Sequence, residues 1–503
     1  MDVASLIRFP VTPASVFRYS VIAFIAGIFA GSSFPEATPI FSLALISFAV
    51  AVIGIWQERR TVFISCILIA CAAGCFLAAH SVSYWLIDRP PETVSGIAEI
   101  IRKPAVSETY REAVVTLSSC ETGPCPADFV LVRFPLLTDI SYGDKGTFSC
   151  ALELPDATWK TYYAKDGIAY RCREPVWRKT GETQPIRRAL LGISSGFESA
   201  IAHALPEPES SFAIGLLIGG SGQLPASVRD DFRAAGLTHI VAVSGYNISI
   251  IAEYFLLLGI VLFLPRRKAV PFSLLGTAAF VFVAGAPASA VRALGMASTM
   301  LLAQWIGRRY ANLWALCFAA AVMLALNPML LLYDVGFQLS FLATAGIIVS
   351  SPIVRTVLRK APHAIESFFE ALLLTVSANA FLMPVIFANF GKFAPIAIVA
   401  NAVLLPAIPL AMLFSFVAGV AGAVSAPLGA VFAFPAYATL APIIAGAHFA
   451  ASFRDSAIVW DHFGWAETIV WYAVVFPIFF LLRHKFGNEK NKIRKNQAEA
   501  LPE

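Results

Sequence analysis

Apolar runs close to 20 residues long recur along this chain and are interrupted once, by a polar stretch from about 92 to 178. At 1.5 Å of rise per residue, a helix of about 20 residues matches a bilayer hydrocarbon core about 30 Å thick. Spans are read at roughly 19–35, 38–56 and 62–86, then at 237–264, 269–286, 288–307, 311–332, 334–351, 367–388, 394–418, 422–449 and 466–482, the second set preceded by a short apolar piece at 211–219. That makes about twelve transmembrane helices. With 58% hydrophobic and 14% charged residues and a mean hydropathy of +0.73, the chain carries more apolar surface than one soluble core would bury. The expected fold is a mostly α-helical membrane protein with a small inserted β domain.

Orientation follows from where lysine and arginine fall, not from the formal net charge of +5. If the amino terminus is cytoplasmic, the cytoplasmic ends collect Arg8, Arg18, Arg59, Arg60, Arg266 to Lys268, Arg308, Arg309, Arg355 to Lys360 and the tail from Arg483 to Lys495. The opposite loops hold little beyond Glu36, Asp334, Lys392 and Arg454. The polar stretch 92–178 is then external, and both termini are cytoplasmic. The first apolar run is no cleaved secretory signal, since further spans follow at once and no clear Ala-x-Ala site precedes them. The chain divides into amino-terminal spans (1–90), an external β domain (92–178), an amphipathic surface helix (184–205), a second membrane region (210–486) and a basic cytoplasmic tail (487–503).

Cysteine usage follows the same division. Cys66, Cys71, Cys75 and Cys317 sit inside spans as small hydrophobes, whereas Cys120, Cys125, Cys150 and Cys172 fall in the external stretch. Four cysteines in an oxidising compartment point to two disulfides, with three possible pairings. The short loop between Cys120 and Cys125 favours that pair and leaves Cys150 with Cys172; a zinc site and free thiols are the alternatives. Short β patterns at Thr93–Ile101, Ala113–Leu117, Phe129–Phe134, Gly146–Leu154 and Ile168–Arg173 suit a small barrel. Phe129, Phe134, Tyr142 and Trp159 are either base-stacking aromatics or ordinary core and surface residues. Residues 94–175 hold nine Lys or Arg against eleven Asp or Glu, so phosphate contact there needs a local basic patch.

Two apparent motifs carry no chemistry. Gly192-Ile-Ser-Ser-Gly196 matches a hydrolase nucleophile pattern but lies in a helical, amphipathic segment, Pro185 to His203, without the required strand and sharp turn. Gly215 to Gly222 lacks the Lys and Ser/Thr of a phosphate loop, and Gly391-Lys392 is followed by Phe393. No motif for ATP, a metal or another cofactor is present, and no enzymatic activity is expected.

Gly236-Leu-Thr-His-Ile-Val-Ala-Val-Ser-Gly-Tyr-Asn-Ile-Ser-Ile-Ile251 is hydrophobic enough to enter a bilayer yet carries His239, Ser244 and Asn247. Polar groups there either line a path or fasten helices together. On one continuous helix His239, Tyr246 and Glu253 would form a stripe, with Ser244 and Asn247 on a neighbouring face. Asp334 and Gln338 share a face, and Arg292 and Asp334, near the outer ends of their spans, are placed to pair. Asn379 and Asn401 would extend the polar lining, while prolines at 384, 395, 406, 409, 427 and 442 point to kinked spans.

These elements resemble the ComEC competence family in order. Asp231-Phe-Arg-Ala-Ala-Gly236 leads into the segment above; Pro287-Ala-Ser-Ala-Val-Arg-Ala293 and Gly307-Arg-Arg309 follow; Asn327-Pro328 and Asp334-Val-Gly-Phe-Gln-Leu-Ser-Phe341 form the most specific element; Pro384 to Gly391 and Asn401 with Pro406 complete it. Tyr246-Asn247 replaces the Leu-His of many members, and the run at Gly219 to Gly222 lacks their acidic residue. The resemblance implies an external OB-like domain closed by Tyr162-Tyr-Ala-Lys-Asp-Gly-Ile168, and a channel for single-stranded DNA in natural transformation. The path would be lined by His239, Ser244, Asn247, Arg292, Asp334, Gln338, Asn379 and Asn401. Implied partners are single-stranded DNA, membrane lipid, an external DNA receptor, and cytoplasmic helicase or strand-binding proteins. A separate nuclease is implied as well, because no His-x-His-x-Asp-His motif follows the spans. A secondary solute transporter and an intramembrane hydrolase are the competing readings.

Overall fold

The structure is a computed structural model and describes residues 13–35, 42, 45–46, 49, 59–85, 93–102, 104–106, 109–121, 125, 127–182, 185–219, 224–241, 244–285, 288–305, 312–359, 362–460 and 462–499. Helices α1 (Pro13–Ser33) and α2 (Arg59–Trp85) precede strands β1 (Thr93–Ile100), β2 (Ala105–Val106), β3 (Tyr110–Cys120), β4 (Phe129–Pro135) and β5 (Asp144–Ala151), helix α3 (Ala157–Ala164), and strands β6 (Ile168–Cys172) and β7 (Val176–Glu182). Helices continue as α4 (Pro185–Ala204), α5 (Glu209–Leu217), α6 (Ala226–Ala234), α7 (Thr238–Val241), α8 (Gly245–Val261), α9 (Arg266–Val283), α10 (Ala288–Trp305), α11 (Asn312–Leu326), α12 (Leu330–Tyr333), α13 (Val335–Leu358) and α14 (His363–Phe390). Strand β8 (Lys392–Phe393), α15 (Ile396–Leu404), α16 (Ile408–Val424), α17 (Ala426–Ala451), β9 (Ile458–Val459) and α18 (Trp465–Glu499) complete the chain.

Among the described residues, six stretches are long and apolar enough to cross a membrane: Ser15–Ser33, Ile64–Val82, Val335–Leu358, Glu366–Phe390, Ile396–Val424 and Ala426–Ala451. Gly245–Val261, Leu313–Leu326 and Trp465–Phe479 are shorter apolar helices. This is a membrane protein, and among the described residues six such helices stand where about twelve spans were expected over the whole chain. The expected span 38–56 lies mostly outside the described residues, as do Gly220 to Gly222, Gly307 to Arg309 and the side chains of the tail beyond 486. The expected span 237–264 divides into α7 and α8.

The chain forms two compact units, the first comprising Met1–Arg188 with Trp314–Gln338 and the second Ala189–Leu313 with Leu339–Glu503. In the first, α1 and α2 approach backbone to backbone. A Cβ added at Gly27 would stand 2.0 Å from the Cys71 carbonyl oxygen, and one at Gly31 would stand 2.3 Å from that of Cys75. The small-xxx-small spacing of Gly27 and Gly31 is thus the contact surface itself. Phe17 meets Phe318 at 5.6 Å between ring centroids, and the Arg18 guanidinium lies 5.2 Å from the Trp314 ring, so α11 packs along α1.

The β domain is one seven-stranded sheet in the order β6-β4-β3-β1-β5-β7, with β2 on β3. Its neighbours pair antiparallel except β4 with β6. The ladder ends at β6 and β7 and does not close into the expected barrel; beyond β5, a single bridge joins Glu153 to Arg171. Alternation along β3 and β4 sends Val115, Val130 and Val132 to the main core, and Val114 and Leu131 to the opposite face with Ile168 and Tyr163. Phe134 is buried, edge-on to Trp177 at 5.8 Å, so it is a core residue and not a base-stacking surface. Phe129 and Tyr142 are half-buried, and the Trp159 side chain lies outside the described set.

Both favoured disulfides form, Cys120–Cys125 and Cys150–Cys172. Their sequence separations of 5 and 22 set their expected worth, since closing the longer loop removes more entropy from the unfolded chain. Replacing Cys150 and Cys172 by Ala is expected to destabilise the domain by about 3 kcal/mol, against about 2 kcal/mol for Cys120 and Cys125. Thermal midpoints of the two double variants check that ordering.

The second unit has its own core around Phe212, Leu216, Leu217, Phe232, Leu237 and Ile248. All nine residues of α5 are buried at its centre. Helix α4, read from sequence as a surface helix, buries one face on α16: Phe197 and Ile201 cover Gly419, and Ala200 lies against Gly422. Its amphipathic pattern reflects this packing, because one apolar stripe serves protein and lipid alike.

Candidate functional site

The segment from Gly236 to Ile251 is held inside the second unit by three contacts with different elements. Gly236 has φ +71°, and a Cβ there would come within 2.9 Å of the Ala397 Cβ on α15, so glycine is needed for both conformation and fit. His239 follows on α7, within electrostatic reach of the Asn401 side chain and the Gly236 backbone. Its side chain retains accessible surface.

The chain does not pass from His239 to Tyr246 as one helix. At Ser244 the backbone is extended, with φ −98° and ψ 166°, and α8 starts afresh with Ser244 as its cap. The Ser244 Oγ accepts from the Asn247 backbone N–H at 3.3 Å and donates to Asn247 Oδ1 at 3.0 Å. Buried Asn247 then donates from Nδ2 to the Leu216 carbonyl of α5 at 3.2 Å. A Cβ added at Gly245 would stand 3.8 Å from the Ala293 Cβ, next in sequence to half-buried Arg292 on α10. Ser244 and Asn247 therefore start one helix and fasten it to another.

On α8 the remaining stripe is accessible. Tyr246, Ser249 and Glu253 are all exposed, and Tyr246 is within electrostatic reach of Glu253. Spacings of three and four place them on one face. Sequence reasoning noted Glu253 only for its period and missed Ser249, whose hydroxyl donates to the Gly245 carbonyl at 2.9 Å. Asn379 on α14 donates to the Thr375 carbonyl one turn earlier at 2.9 Å, and Asn401 is buried on α15.

Asp334 and Gln338 belong to the first unit, where they build a different arrangement. The Asp334 carboxylate caps α13, with Oδ1 accepting from the Phe337 N–H at 2.9 Å, and its Oδ2 lies 3.1 Å from Lys165 Nζ. Both side chains of this ion pair are buried, 9% and 4% exposed. Lys165 is held further: Asn327 Nδ2 donates to its carbonyl at 2.7 Å, and its ammonium lies 4.3 Å from the Tyr162 ring centroid. Gln338 Nε2 donates to the Leu331 and Leu332 carbonyls at 2.8 and 3.0 Å. Asp334 is thus ion-paired with Lys165, a partner the sequence reading did not name. A lone carboxylate at the head of an apolar helix needed a cation, and the Lys165 turn was the missed signal.

Residues 216–485 match the Competence protein family. The chain belongs to the ComEC competence family. It is 26% identical over 239 residues to ComE operon protein 3 of Bacillus subtilis (strain 168). The matched stretch is 48% of this chain and 30% of that protein, so the chain spans well under half of the relative's length. No solved structure matches.

Within this ComEC family member, both signature regions now have physical roles. The Asn327 and Asp334 elements and the Tyr162 to Gly167 turn are two halves of one buried latch. Gly192 to Gly196 lies in mid-helix, so Ser194 and Ser195 occupy no nucleophile elbow. Among the described residues, no group of three or more His, Cys, Asp or Glu is placed to hold a metal ion.

Proposed function

We propose that this chain is a channel that passes single-stranded DNA inward across the bacterial cytoplasmic membrane in natural transformation. The observation that carries the reading is the accessible polar face of Tyr246, Ser249 and Glu253 on the otherwise apolar helix α8, with His239 accessible on α7. An ionised side chain at the middle of a lipid-facing helix costs about 3 kcal/mol, which favours a water-filled surface for these groups. Arg292 supplies the cation that a polyanion meets, and Asn379 and Asn401 extend the polar lining. Ser244 and Asn247 shape the entrance of α8, and Asp334 and Gln338 brace the external domain.

Several features of the reading come from the family. They are an external DNA receptor and cytoplasmic helicase or strand-binding proteins that pull the strand; the cytoplasmic termini rest on the placement of Lys and Arg. In the β domain, exposed Tyr162 and half-buried Tyr110, which lies 4.5 Å beneath the Arg133 guanidinium, offer stacking surfaces. Burial pushes the phenol of neighbouring Tyr163 up, and the Glu112 charge adds to this, so it stays neutral at physiological pH.

The test is entry of labelled DNA into a DNase-protected fraction in a deletion host carrying variants of this chain. Arg292→Ala is expected to lower entry about tenfold, the factor for 1.4 kcal/mol of lost attraction, with surface binding and protein level unchanged. Arg292→Lys keeps the charge and most of the entry. Normal entry in Arg292→Ala, or small-solute uptake by reconstituted protein without DNA passage, overturns the reading in favour of a transporter.

A further inference from the structure

One end of the second unit carries aromatic and aliphatic side chains on backbone that is not helical. Strand β8 connects α14 to α15, β9 lies between α17 and α18, and the two pair antiparallel, Lys392 with Val459 and Phe393 with Ile458. This ribbon gathers four helix ends. It is rigid at its root: the Trp460 N–H donates to the Gly391 carbonyl at 2.8 Å, and Gly391 caps α14 at φ 66°. The rings of Phe387, Trp460 and Phe463 lie 5.1 to 5.7 Å apart, centroid to centroid.

Beyond that root, Phe390, Phe449, Phe453, Ile458, Val459, Trp460 and Trp465 remain exposed, Trp465 by 71%. Exposed Lys392, Arg454 and Asp455 are interleaved with them. Further exposed apolar side chains lie on the helices that leave the ribbon, Val431 and Phe434 on α17 and Ile469, Val470 and Val474 on α18. Helices α14 and α17 are long and apolar enough to cross the membrane, so this exterior faces acyl chains and the ribbon stands where the spans end. Trp and Tyr concentrate at that depth because their rings are apolar and their N–H or O–H groups are wet. Lysine and arginine there lay their stems on apolar surface and send the charge to the headgroups.

We propose that the β8–β9 ribbon, with the loop from Phe449 to Trp465, is an interfacial anchor seated at the boundary between lipid headgroups and acyl chains. It fixes the depth of α14, α17 and α18 in the bilayer. The occupant of this surface is phospholipid, and no protein partner is needed to cover it.

The experiment compares the full chain with the Trp460→Phe/Trp465→Phe double variant in liposomes whose lipids carry bromine either near the headgroup or deep in the acyl chain. Subtracting the variant's emission isolates these two tryptophans from the other seven. The difference spectrum is expected to be blue-shifted and quenched roughly twofold more by shallow than by deep bromines, as a belt at headgroup level requires. A water-like difference spectrum unquenched by either lipid overturns the anchor, and so does stronger quenching by the deep label. Because Trp→Phe could loosen the ring cluster, Val459→Asp gives a second readout. Val459 lies on the ribbon outside that cluster, and the variant should weaken recovery in the membrane fraction. Full recovery of Val459→Asp, with no change in how the surrounding helices are protected from protease, also overturns the proposal.

Discussion

Asp334→Ala is expected to abolish DNA entry while leaving the protein in the membrane, and to do so by releasing the β domain. The substitution strands the Lys165 ammonium, only 9% exposed, without its carboxylate 3.1 Å away. Breaking one partner of a buried ion pair costs about 3–5 kcal/mol, and loss of the α13 cap adds about 1 kcal/mol. Protease cleavage between Ala157 and Glu182 should accelerate on intact spheroplasts, a readout that does not depend on transport. Lys165→Met combined with Asp334→Asn removes both charges and keeps an N-cap side chain, so most of the stability should return. An Asp334→Ala protein with an equally protected β domain would show that the latch does not hold it.

Gly27→Leu is the second large effect expected. A Cβ at Gly27 already falls 2.0 Å from the Cys71 carbonyl oxygen, so even alanine forces α1 and α2 apart, and leucine removes the interface. Overpacking a tight contact costs about 1–3 kcal/mol where neighbours can shift, and here the obstacle is backbone, which cannot. Loss of the first unit should be seen as poor accumulation of the protein and a lowered thermal midpoint. Ile22→Leu on the exposed side of the same helix is the control, and it should change neither. Equal accumulation of Gly27→Leu and Ile22→Leu would mean that α1 and α2 do not pack through glycine.

Much of the fold could be read directly, and particular residues show why. Runs of spanning length such as Ala426–Ala451 need only hydropathy, because lipid demands it of every residue along the helix. Strands such as Phe129–Pro135 revealed themselves by β-branched and aromatic content, and the loop from Cys120 to Cys125 was short enough to name its own disulfide. Closure of the sheet could not be read this way, since it depends on whether β6 and β7 find each other, and each strand is compatible with an open or a closed sheet. The break at Ser244 was hidden for a related reason: Ile240 to Val243 and Ile248 to Ile251 read as one apolar run, and hydropathy is blind to a change in backbone direction.

The chain's own order of residues determined that it enters a membrane, where its β domain lies in the sequence, which cysteine pairing is favoured and which family it joins. These are properties of composition and local spacing, which survive in an unfolded chain. Only the tertiary structure decided what the intramembrane polar groups do. It made Asn247 a fastener on Leu216, joined Asp334 to a lysine 169 positions away in the sequence, and left Tyr246, Ser249 and Glu253 accessible. A hydrogen bond or an ion pair is a relation between two places in space, and that relation exists only once the chain has packed.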